Sequence, residues 1–71
     1  MSRPEITGRK LAFSVPEFCD LHGISVAMFY KLRQQGLGPD IIKAGERTLV
    51  TVEAAARWRA EREAATAVEA N

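Results

Sequence analysis

The side chains able to do chemistry in this chain are few, and their spacing suits contact with phosphates and base edges rather than bond making. Ser25-Val26-Ala27-Met28 opens a segment that continues through Tyr30, Lys31, Arg33 and Gln34, and Lys43, Arg47 and Thr48 follow around Gly45. A cation one turn into a helix can neutralise a DNA phosphate, while Tyr, Gln and Arg offer hydrogen bonds to phosphates or base edges. Ser25 has the chemistry of a helix N-cap, and its hydroxyl or amide could also hold a phosphate at the helix start. Val26, Ala27 and Met28 can touch thymine methyl groups but cannot read hydrogen-bonding edges. The alternative for the same residues is a solvated helix face and a solvated hairpin, with Tyr30 partly packed on a later helix.

Other chemistries find little support. His22 is the single histidine and has no neighbouring nucleophile, so it reads as a turn residue. Cys19 is the single cysteine, which excludes an internal disulfide, and no Cys/His cluster suggests zinc. Carboxylate pairs, phosphate loops and nucleophile–base pairs are also missing, so neither an enzyme nor a cofactor is expected. No apolar run approaches the roughly 20 residues of a membrane span, and the N-terminus lacks a secretory core. A cytoplasmic, nucleoid-associated protein without a membrane partner is the expectation.

Net charge is only +1, but it is unevenly spread. Residues 1–13 carry +2, 14–24 carry −2, 25–50 carry +2 and 51–71 carry −1. Positive charge therefore gathers on the N-terminal arm, the second helix and the segment after it. Arg3, Arg9 and Lys10 of the arm could reach a minor groove, or could simply keep the terminus soluble.

The elements that must position these groups follow from local signals. Residues 1–11 lack a period and contain Pro4 and Gly8, which predicts a flexible arm. Ser14-Val15-Pro16-Glu17 is a capping box that opens a first helix, with Phe13 stapled onto Phe18. That helix should end near His22, with Gly23 making the turn. Ser25 caps a second helix over Val26 to Gln35, closed by Gly36 in a left-handed conformation. Gly38 and Pro39 stop the helix, and the β-prone runs 40–44 and 47–50 form a hairpin about Gly45-Glu46. Thr51 caps a third helix whose only large apolar group is Trp58, with fraying expected from about Ala64. Small Cys19 lets the first two helices cross over Phe18, Ile24, Phe29 and Leu32, and Ile42 and Leu49 should cover the open side. The chain thus divides into an arm (1–11), one domain (12–62) and a frayed tail (63–71). The fold class expected is mainly α with a small β-hairpin: a winged helix-turn-helix, ordered helix-turn-helix-hairpin-helix.

The ordered series Gly23-Ile24-Ser25, Tyr30-Lys31, Gly36-Leu37-Gly38-Pro39, Lys43, Gly45 and Trp58 resembles the small winged helix-turn-helix proteins of the excisionase and AlpA type. These are relatives of the MerR DNA-binding domain, and the resemblance covers roughly residues 12–62. It implies sequence-specific binding of double-stranded DNA, either as a recombination directionality factor (excisionase) or as a small transcriptional regulator. It also implies self-association on adjacent DNA sites and, for an excisionase, an integrase or recombinase partner. Val26, Ala27 and Met28 stand where the family usually has a hydroxyl and a basic residue. Glu46 replaces a basic wing-tip residue, and Ala55 and Arg59 replace large aliphatics. The alternative is a protein-interaction module of the same fold, docking on a recombinase, a replication protein or a toxin.

Overall fold

A computed structural model describes residues 10–70, so the expected arm lies outside the described residues except for Lys10 and Leu11. Strand β1 covers Ala12–Ser14, helix α1 Val15–His22 and helix α2 Val26–Gln34. Strand β2 follows at Ile42–Ala44, strand β3 at Arg47–Thr51 and helix α3 at Val52–Ala70. The described residues form a small mixed α/β domain of three helices and a three-stranded antiparallel sheet, ordered β1-β3-β2. This corrects the expectation of a two-stranded hairpin on an otherwise helical fold. The residues ahead of Ser14 are drawn into the sheet, with Phe13 opposite Val50, because that pairing brings Phe13 against the core.

Both short helices are terminated by their own sequence. The Ser14 hydroxyl accepts from the Glu17 amide at 3.2 Å, and the Glu17 carboxylate accepts from the Ser14 amide at 2.9 Å, which completes the capping box. Gly23 takes φ 71°, and the Ile24 amide reaches back to the Cys19 carbonyl at 3.0 Å. Helix α2 starts on Ser25, whose hydroxyl accepts from the Met28 amide at 3.0 Å. It ends at Gln34, one residue earlier than expected, with Gln35 as the cap. Gly36 then takes φ 76°, and the Leu37 amide donates to the Leu32 carbonyl at 2.8 Å. Both ends are Schellman closures, which need a left-handed residue after the cap. Gly38 serves a different purpose. A Cβ there would lie 2.9 Å from Arg33 Cγ and 3.2 Å from the Arg33 amide nitrogen.

The hairpin loop is Gly45-Glu46, between the paired Ala44 and Arg47, with Gly45 at φ 64°. Register decides which strand residues face inward, since a slip of one residue exchanges the two faces. Val50 is the fully buried residue of β3, whereas Leu49 is half-buried and Ile42 is 47% exposed. The expected cover by Ile42 and Leu49 is therefore replaced by Val50, with Ile41 packed beside it.

The Thr51 hydroxyl accepts from the Ala54 amide at 3.0 Å and so caps α3. Helix α3 then runs to Ala70, past the point where fraying was expected, through a stretch rich in good helix formers. Its first turns supply Ala54, Ala55 and Trp58 to a core completed by Val15, Phe18, Cys19, Phe29 and Val50. Phe18 sits at the centre, edge-on to Phe29 at 5.6 Å and to Trp58 at 5.3 Å between ring centroids. Phe18 and Phe29 are the fully buried members of the expected anchor group, and Ile24 and Leu32 pack partly buried against them. The Trp58 indole N–H donates to the Leu37 carbonyl at 2.8 Å, tying the chain after α2 to α3. No helix among the described residues is long and apolar enough to cross a membrane.

Candidate nucleic-acid interface

Helix α2 is amphipathic in a way that frees one side of it. Phe29 is fully buried and Leu32 partly so, which turns the opposite side outward. At helical spacing that side carries Ala27, Tyr30, Lys31 and Gln34, all exposed. Tyr30 meets Phe29 edge-on at 5.1 Å, so the ring is steadied at its base while 47% of the residue stays open. Val26 and Met28 are exposed on the two flanks of this row. Arg33 is exposed too, but it falls to the side, against Gly38, rather than in the row.

The start of α2 is electropositive. Its first turn holds no acidic residue, so nothing there offsets the positive end of the helix dipole, and Ser25 is exposed. Lys31 and Arg33 lie in the last turn. No carboxylate among the described residues pairs with either.

The hairpin residues divide between two faces. Lys43 is paired with Thr48, and its ammonium donates to the Thr48 hydroxyl at 3.0 Å. Strand alternation puts this pair on the side of Phe13 and Val50, and Arg47 on the opposite side with Ile42 and Leu49. Lys43 and Arg47 thus project from opposite faces beside the tip, and Thr48 is engaged by Lys43 rather than open. Arg47 forms no ion pair with Glu46 or Glu53. Of the arm cations, Arg3 and Arg9 lie outside the described residues, and Lys10 forms an ion pair with Glu17. That pair, together with the Ser14 amide, holds the Glu17 carboxyl below its ordinary value.

Sequence reasoning missed the part played by His22. Its ring stacks on Phe18 at 4.1 Å, and its Nε2 lies 2.9 Å from Nη1 of Arg59. A guanidinium can only donate, so Nε2 accepts, and the proton sits on Nδ1, which donates to the Phe18 carbonyl at 2.8 Å. His22 is therefore a bridge between α1 and α3, and no local signal announces a partner 37 residues away. Cys19 is buried, and burial pushes its thiol up, which suits an inert packing group. Among the described residues no cluster of side chains could hold a metal ion. Comparison with known proteins finds no matching family model, curated protein or solved structure.

Proposed function

We propose that this chain is a sequence-specific DNA-binding protein of winged helix-turn-helix form that catalyses nothing itself. The observation carrying this reading is the outward row Ala27, Tyr30, Lys31 and Gln34, which the core does not use and the α1–α2 turn holds in place. In this reading α2 enters the major groove, with Ala27 and the flanking Val26 and Met28 against thymine methyls. Tyr30 and Gln34 meet base edges or the backbone, and Lys31 a phosphate. Ser25 at the helix start, Arg33 at its side, and Lys43 and Arg47 on the wing supply further phosphate contacts, with Thr48 positioning Lys43. A module of this size covers roughly 600–1,000 Å² of protein surface on DNA, so useful affinity calls for several copies on adjacent sites. The two roles that fit are a recombination directionality factor acting with an integrase and a small transcriptional regulator.

The test is selection of bound fragments from a sheared genome by the purified chain, in about 0.1 M salt where weak contacts are screened. Clustered repeats should be recovered, and their position beside an integrase site or a promoter separates the two roles. No enrichment over beads alone would overturn the reading. A second reading, docking on a protein, is favoured by the exposed apolar Val26, Met28 and Tyr30. Salt separates the two, because phosphate-driven binding collapses as ionic strength rises and apolar docking hardly responds.

A further inference from the structure

Imidazole is the side chain that ordinarily changes charge between about pH 5 and 8, and His22 is the single histidine of this chain. Both of its ring nitrogens are already committed. Nδ1 donates to the Phe18 carbonyl at 2.8 Å, and Nε2 accepts from Nη1 of Arg59 at 2.9 Å. The second bond exists only while Nε2 keeps its lone pair. A proton taken from solvent occupies that lone pair, sets one N–H against another and brings two positive charges into contact.

One partner must then leave, and the structure distinguishes them. The ring is half-buried, stacked on the fully buried Phe18 at 4.1 Å and edge-on to Trp58 at 5.9 Å. It also stands in the last turn of α1, where the helix end favours a cation. Arg59 is exposed and pairs with no carboxylate among the described residues. The charged groups around the pair leave the conflict standing. At helical spacing Glu17 and Asp20 fall on the other side of α1, and Glu17 is held by Lys10. One turn beyond Arg59, α3 carries Arg62 and Glu63. Arg62 adds a like charge, whereas Glu63, four residues on, can receive a released guanidinium. Among the described residues, no charged group of α2 or the sheet makes a polar contact with the ring.

We infer that His22 and Arg59 form a proton-operated latch between α1 and α3, closed on neutral imidazole and opened when Nε2 is protonated. On opening, Arg59 swings away and the ring keeps its seat on Phe18. The contact of Phe18 with Trp58 at 5.3 Å still joins the two helices, so the change is a local release and not unfolding. It involves α1 and α3 and does not rest on the DNA reading.

The experiment is nuclear magnetic resonance of the full chain, without nucleic acid, between about pH 8 and about pH 5. At the alkaline end the ring nitrogens should show the Nδ1–H form. As the ring takes up its proton, the side-chain Nε–H signal of Arg59 should shift with the same midpoint, while contacts between the ring and Phe18 persist. In His22→Phe, established as folded by circular dichroism, the Arg59 signal should stay constant over the same range. If that variant does not fold, the parent titration decides alone. An Nε2–H ring at the alkaline end, an Arg59 signal that does not follow the ring, or a shift that survives in folded His22→Phe would overturn the latch. Loss of the Phe18 contacts on acidification would also overturn it, because the ring would then be the moving part.

Discussion

Replacing Trp58 by Phe tests how the end of α2 is held to the rest of the fold. The change removes the indole N–H that donates to the Leu37 carbonyl at 2.8 Å and leaves a phenyl ring in an indole-sized space. The bond is only part-buried, so water can reach the carbonyl in part and the loss belongs near the low end, about 1 kcal/mol. The smaller ring also weakens the edge contacts with Phe18 at 5.3 Å and His22 at 5.9 Å, which adds about 1 kcal/mol. The expected cost is therefore about 2 kcal/mol. A domain of 71 residues has a total stability of roughly 4–11 kcal/mol, so a fifth to a half of it would go. Thermal unfolding followed by circular dichroism should show a midpoint lower by about 8–16 °C. Amide exchange should show the Leu37 amide, bonded to the Leu32 carbonyl, losing protection well before the amides of α1. A loss under about 0.5 kcal/mol, within the range of ordinary surface changes, would refute the view that Trp58 is the clasp between α3 and the α2 end.

Three further outcomes are expected. Lys31→Ala and Arg47→Ala should each weaken DNA binding and flatten its salt dependence by about one unit; unchanged titrations for both would remove the assigned face. Gly36→Ala should cost about 1–2 kcal/mol from left-handed strain alone, since nothing lies within 4 Å of the new Cβ. Gly38→Ala should cost about 1–3 kcal/mol by crowding Arg33, and urea unfolding should show Arg33→Ala relieving Gly38→Ala but not Gly36→Ala. Glu17 has a lowered folded value, so its contribution is complete above its ordinary 4.5 and is lost as pH falls through the folded value. Glu17→Gln should therefore flatten the acid limb of a urea-midpoint profile, and two superimposable profiles would contradict the role of the Lys10–Glu17 pair.

The parts of the fold that were legible in the sequence are those whose causes lie within about four residues. The capping box at Ser14, the turn at Gly23, the cap at Ser25 and the stop at Gly36 each depend on one side chain and its near neighbours. The start of α3 at Thr51 is of the same kind. What escaped depends on distant pairing. Strand β1 is three residues long, too short for a period, and exists because Phe13 meets Val50 across the chain. The hairpin's inward residue turned on register, which local alternation could not fix in a run as uniform as Thr-Leu-Val. The length of α3 follows the intrinsic helix preference of Ala, Glu and Arg rather than burial, which ends at Trp58. At the candidate interface, the exposed row on α2 was legible from Phe29 and Leu32. The division of Lys43 and Arg47 between two faces required the register.

The central claim, that the outward row of α2 is the surface meeting DNA, is tested most directly by nuclear magnetic resonance. Isotope-labelled chain would be titrated at low salt with a short mixed-sequence duplex, conditions in which even non-specific phosphate contacts hold. Amide shifts should concentrate on Ser25 to Gln34, with a second group at Lys43 and Arg47, and should vanish as salt is raised. Shifts confined to α1 or α3, or a spectrum that duplex DNA leaves unchanged, would contradict it.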